Sequence, residues 1–105
     1  MKNTSFFKVI PELIQRNGKT TFMIKNIPNQ ITKKALMRMI DTKFRGSYDF
    51  LYLPIDSKSR LNVSYAFINF INLKAALDFY YSYHGMKWSK RYKSKKICEV
   101  YYGRI

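Results

Sequence analysis

Apolar and polar positions along this chain fall into two rhythms, a two-residue alternation and a three-to-four-residue stripe. Alternation marks strands, whose successive side chains point to opposite faces. Residues 20–25 alternate in this way, with Phe22 and Ile24 on one side and Met23 and Lys25 on the other. Tyr48 to Leu53 sets Tyr48, Phe50 and Tyr52 against Leu51 and Leu53, and Pro54 ends the run. Val63 to Phe70 places Ala66, Ile68 and Phe70 with Ser64 on one face. Tyr65 and Phe67 take the opposite face, beside Val63 and Asn69. Lys96 to Tyr102 directs Cys98 and Val100 inward, and Glu99 and Tyr101 outward.

Helical stripes lie between these strands. Thr32 suits the N-cap of a helix carrying Leu36, Met39, Ile40 and Phe44, which Gly46 stops. A second helix is predicted from Leu73 to Tyr83, burying Ala76, Leu77, Tyr80 and Tyr83 and closed by His84 and Gly85. Residues 1–19 form a prefix in which Phe6, Phe7, Ile10, Leu13 and Ile14 lie at near-helical spacing. With Pro11 in a first turn, this predicts a short docked helix around residues 11–16. Residues 20–105 then run strand, helix, strand, strand, helix, strand. That order predicts an α+β, ferredoxin-like βαββαβ sandwich, a four-stranded antiparallel sheet with both helices on one face. The opposite face is left for water, a ligand or a partner.

Charge suggests what that face meets. Twenty Lys and Arg stand against six Asp and Glu, a net charge of +14 over 105 residues. Such an excess repels itself, and a polyanion relieves the repulsion. Aromatics make up 17% of the chain, and Tyr65 and Phe67 lie on the side away from the aliphatic face. Exposed rings beside positive charge suit unstacked bases, so a single-stranded nucleic acid is expected over a duplex.

Other classes find less support. No apolar run approaches the roughly 20 residues that span a bilayer. Met1 to Phe7 lacks the sustained apolar segment of a secretory signal, so no membrane is expected as a partner. One cysteine, Cys98, excludes an internal disulfide and a cysteine-cluster metal site. A nuclear or cytoplasmic location follows as the expectation. Asp41, Asp49, Asp56 and Asp78 are scattered, and nothing in the sequence brings His84 to Cys98. No catalysis, metal, cofactor or small-molecule substrate is therefore expected.

Residues 63–70 carry a family resemblance. The octapeptide signature of RNA-recognition motif (RRM) domains runs basic, Gly, aromatic, Gly or Ala, aromatic, aliphatic, any, aromatic. Tyr65, Ala66, Phe67, Ile68, Asn69 and Phe70 match it, while Val63 replaces the basic residue and Ser64 the glycine. In the hexapeptide signature Ile24, Lys25, Asn26 and Ile27 fit, and Met23 stands where an aromatic usually stacks. Over residues 20–105 the chain thus resembles an RRM. The stretches Thr20–Asn29, Tyr48–Asp56 and Asn62–Phe70, with Lys87-Trp88 and Lys96–Val100, are similar to a narrower group. This is the C-terminal RRM of the Mei-two-like meiosis regulators of fungi and plants, where Met at the stacking position is usual. Members of that family are much longer and carry further RRMs. The resemblance implies a regulator of meiosis or RNA fate that works as a ribonucleoprotein.

On this reading Tyr65 and Phe67 are the stacking platform, and Met23 adds a soft apolar contact. Tyr52 either extends the platform or packs inward. Lys25, Asn69, Glu99 and Tyr101 border it and hydrogen-bond base edges, Glu99 as an acceptor only. Lys87, Lys90, Arg91, Lys93, Lys95 and Lys96 are either a solvated loop or a phosphate clamp. Lys58 and Arg60 before the third strand, with Arg104 after the last, form an opposite rim. Trp88 is either a plug under its loop or a further stacking residue. The rival reading is a protein-interaction RRM. Its sheet, or a helix face carrying Phe79, Tyr81 and Tyr83, would bind a peptide or the domain's own prefix.

Overall fold

The computed structural model describes residues 8–88 and 92–103. A 3-10 turn at Pro11–Leu13 leads into α1 (Ile14–Asn17), which ends at Gly18 in the left-handed region at φ 65°. Then follow β1 (Thr21–Lys25), α2 (Lys33–Phe44), β2 (Tyr48–Tyr52), β3 (Tyr65–Phe70), α3 (Leu73–Tyr83) and β4 (Glu99–Tyr102). The strands make one antiparallel sheet in the order β2-β3-β1-β4, so the signature-bearing β1 and β3 are central. The predicted sandwich is the observed one.

Both long helices start at a capping side chain, of which the sequence predicts Thr32. Thr32 accepts the Ala35 amide at 3.1 Å, and Asn72 accepts the Ala75 amide at 2.8 Å. Their apolar sides cover one face of the sheet. Phe22 and Ile24 from β1, Ala66, Ile68 and Phe70 from β3, and Val100 from β4 share one buried cluster with Leu36, Ile40 and Phe44 of α2. The α3 helix adds a ring column, with Phe79 4.9 Å from Phe70 and stacked 4.4 Å from Tyr83.

Three expectations are corrected. First, the strict alternation of Tyr48 with Phe50 and Tyr52 fails, because the β2–β3 register shifts between Tyr48 and Phe50. Such a bulge turns a residue to the other face. Tyr48 packs edge-on to Phe70, and its hydroxyl donates to Asp41 of α2 at 2.8 Å. Second, α3 is rotated from the predicted stripe. Ala75, Ala76, Phe79 and Tyr83 are buried, while Leu77 and Tyr80 are only half-buried. Phe79 and Tyr83 therefore belong to the core, and the proposed aromatic helix face retains Tyr81 alone. Third, β3 and β4 are shorter than predicted, beginning at Tyr65 and Glu99.

The described part of the prefix, from Lys8 on, docks against α3 and the outer edge of β4. Ile14 is fully buried, α1 lies against α3, and Asn17 donates to the Tyr102 hydroxyl at 3.2 Å. Lys8 forms an antiparallel bridge with Tyr101 on β4. Since β1 takes the other side of β4, this bridge lies on the outer edge of the sheet. Phe6 and Phe7 lie outside the described residues.

Candidate nucleic-acid interface

The strand registers align the open face into rows. Tyr52 stands opposite Phe67, Phe67 opposite Met23, and Met23 opposite Tyr101. This rung crosses all four strands, a span of roughly 14 Å at usual strand spacing. Beside it runs Phe50–Asn69–Thr21, and on the other side Tyr65–Lys25–Glu99. Tyr65 and Phe67 meet edge to face, 5.7 Å apart at 78°. Tyr52 is 50% exposed, Phe50 40% and Tyr65 38%. Met23, Phe67 and Tyr101 are half-buried. Large apolar groups left open on one face mark an interaction surface.

Of the two placements weighed for Tyr52, the outward one is observed. Phe50 was not singled out by the sequence, although its spacing from Tyr52 was a sufficient signal. It extends the aromatic surface onto the outer strand. Lys25 sits with Nζ 4.4 Å from the centroid of Tyr101, a cation–π contact that holds its charge over the platform. The Glu99 carboxylate, across from Lys25 in the register, makes no ion pair or side-chain hydrogen bond among the described residues.

Two expected contact residues are occupied within the protein. Asn69 Oδ1 accepts both Thr20 and Thr21 hydroxyls at 2.8 and 2.7 Å, and its Nδ2 donates to Asp49 at 2.8 Å. One amide hydrogen remains for a ligand. Lys96 Nζ donates to Ser64 Oγ at 2.7 Å, the Ile27 carbonyl at 3.2 Å and Asn29 Oδ1 at 3.3 Å. An ammonium has three donors, so Lys96 is a brace and not an unengaged phosphate contact.

Lys96 belongs to a polar network at the end of the sheet where β1 stops and β3 starts. Buried Asn62 donates to the Pro28 and Ile31 carbonyls at 2.9 and 2.8 Å and accepts the Ser64 amide at 2.7 Å. Ser64 stands at the signature's glycine position with φ 80°, a conformation costly for any side chain. Its hydroxyl donates to the Ile27 carbonyl at 2.7 Å, which helps hold it there. The departure from the family signature was visible in the sequence; its compensation was not.

The rims are basic. Lys58 and Arg60 are exposed on the β2–β3 loop, whose turn is tied by Asp56 accepting the Ser59 amide at 2.8 Å. That bond lowers the pKa of Asp56. Lys87, Ser94, Lys95, Lys96 and Ile97 line a cavity of about 230 Å³ beside β4. Lys90, Arg91 and Arg104 lie outside the described residues. Trp88 is buried, as a plug would be, with Nε1 unpartnered among the described residues.

His84 and Cys98 have structural surroundings. His84 Nδ1 accepts the Val100 amide at 3.0 Å, and its ring stacks on Tyr80 at 4.8 Å. Burial, assisted by the charge of Glu99, pushes the Cys98 thiol up to about 12.

Comparison with known proteins fits this geometry. The family described as RNA recognition motif 2 matches residues 19–105. Protein MEI2-like 4 of Arabidopsis thaliana is 51% identical over 89 residues, covering 85% of this chain and 10% of that protein. Protein MEI2-like 4 of Oryza sativa subsp. japonica is 48% identical over 89 residues, covering 85% of this chain and 9% of that protein. The chain thus spans about a tenth of the length of these relatives. Among solved structures, the Rna15 RRM with bound RNA superposes with TM-score 0.68 at 16% identity, covering 83% of this chain and 85% of that one. The Sex-lethal RNA recognition domains 1 and 2 of Drosophila melanogaster give 0.64 at 19%, covering 83% and 51%. With four strands ordered β2-β3-β1-β4 and a family match across residues 19–105, this chain belongs to the RNA recognition motif 2 family and resembles the Mei2-like proteins.

Proposed function

We propose that this chain binds single-stranded RNA on the open face of its sheet. The observation that carries the reading is the uncovered rung Tyr52–Phe67–Met23–Tyr101, flanked by Tyr65 and Phe50, in a chain of net charge +14. Rings on a sheet give bases a surface to stack on, at about 1–3 kcal/mol each. A duplex keeps its bases stacked on one another and offers none to such a surface. Met23, unbranched and polarizable, fills the central position as a soft contact between Phe67 and Tyr101. Lys25 holds positive charge over the face, while Lys58, Arg60, Lys87 and Lys95 supply phosphate contacts from its margins.

Family membership supports RNA as the ligand, and fold-level likeness to an RRM solved with RNA bound agrees with it. Similarity to the Mei2-like proteins supports a regulatory role in meiosis or RNA fate, as part of a larger ribonucleoprotein. The peptide-binding alternative loses its helix face, since Phe79 and Tyr83 are core residues.

A fluorescence titration with single-stranded RNA tests the reading. Tyr65→Ala with Phe67→Ala should weaken binding by roughly 1–3 kcal/mol per ring without unfolding the chain. Unchanged affinity in the double variant would remove the sheet from the mechanism and leave only general charge.

A further inference from the structure

Resting on that reading, we propose that Glu99 and Lys25 together select guanine at the Tyr65 end of the platform. Tyr65, Lys25 and Glu99 share one cross-strand row on β3, β1 and β4. Opposite charges placed directly across two strands ordinarily pair. Here Lys25 instead lies over the Tyr101 ring at 4.4 Å, and the Glu99 carboxylate has no hydrogen-bond or ion-pair partner among the described residues. The other carboxylate on this face, Asp49, is already committed to Asn69.

A carboxylate on a surface that meets phosphates carries a repulsive cost, which a contact with base donors would offset. An ionised carboxylate accepts hydrogen bonds and donates none. Guanine offers two parallel donors on its pairing edge, N1–H and the N2 amine, beside an acceptor, O6. A base lying on Tyr65 with this edge toward β4 would give both donors to the two Glu99 oxygens. Its O6 would face the Lys25 ammonium. Adenine and cytosine each offer one amine to the carboxylate and uracil one imide hydrogen, so none of them makes the bidentate contact.

The test uses the full chain and single-stranded oligouridine, with or without one internal guanosine, read by fluorescence anisotropy. A bidentate base contact gives discrimination on the order of 10-fold or more. The guanosine oligomer should therefore bind about 10-fold tighter than oligouridine. Replacing the guanosine by inosine, which lacks the N2 amine, should lose most of that advantage, and cytidine or adenosine should not restore it. Glu99→Gln should abolish the guanosine preference, so that the guanosine oligomer and plain oligouridine bind that variant with affinities within about twofold of each other. Preference that survives Glu99→Gln, absence of preference in the unaltered chain, or stronger binding of cytidine would each overturn the proposal. Loss of all RNA binding in the unaltered chain would instead overturn the reading on which it rests.

Discussion

At the scale of single residues, the determinants of the site separate into groups that face outward and groups that hold them in place. Tyr65 and Phe67 can present their rings because the chain immediately before them is fixed by Asn62, Ser64 and Lys96. Asn62 is 3% exposed and bonded at both ends of its amide. Removing such a group leaves the Pro28 and Ile31 carbonyls without their buried donor. Asn62→Ala should therefore cost roughly 2–4 kcal/mol in a denaturant melt. A change under about 0.5 kcal/mol would show that water replaces the side chain without loss. The outward residues were legible in the sequence because alternation alone assigns them a face. The internal engagement of Lys96 and Asn69 was not. A lysine in a basic run reads the same whether its ammonium points to solvent or to three protein oxygens, and only the folded loops bring Ile27, Asn29 and Ser64 to it.

At the scale of elements, the caps and stripes worked where one feature dominated. Thr32 begins α2 as its cap position predicts, and Phe22 and Ile24 point inward; Asn72, which caps α3, was not singled out by the sequence. The bulge in β2 was not legible. It shifts one residue, Tyr48, to the helix side, and nothing local in Tyr48-Asp49-Phe50 distinguishes that arrangement from plain alternation. The rotation of α3 has a similar origin, since Leu77 and Phe79 are both apolar and packing against Phe70 and Phe44 decides between them. The short α1 contributes to stability through Ile14, which is fully buried. Ile14→Ala should lower stability by about 2–4 kcal/mol, the usual range for emptying a packed site. RNA affinity should stay within twofold at temperatures where the variant is folded, because the described prefix does not cover the open face. A large loss of affinity in folded Ile14→Ala would place the prefix in the binding site.

At the scale of the whole molecule, alkaline stability follows from groups buried as neutral acids. Burial raises Tyr83 from 10.0 to about 12 and Cys98 from 9.0 to about 12. Tyr48 reaches about 12 through burial and its bond to Asp41. Each holds its proton more tightly folded than unfolded, so the stabilisation is complete below the unfolded value and is lost as pH rises through the folded one. The melting temperature should be level to about pH 9 with respect to these groups and fall between about pH 9 and 12. A melting curve independent of pH up to 12 would contradict their burial.

The same core that protects these groups leaves the other side of the sheet uncovered, and the central claim is that RNA occupies it. Amide and side-chain NMR shifts of the whole chain, followed during titration with single-stranded RNA, test this most directly. The largest changes should fall on Met23, Lys25, Tyr52, Tyr65, Phe67 and Tyr101. Changes confined to the helix side, around Asp78 and Tyr81 of α3, or to the lysine loop alone, would contradict it.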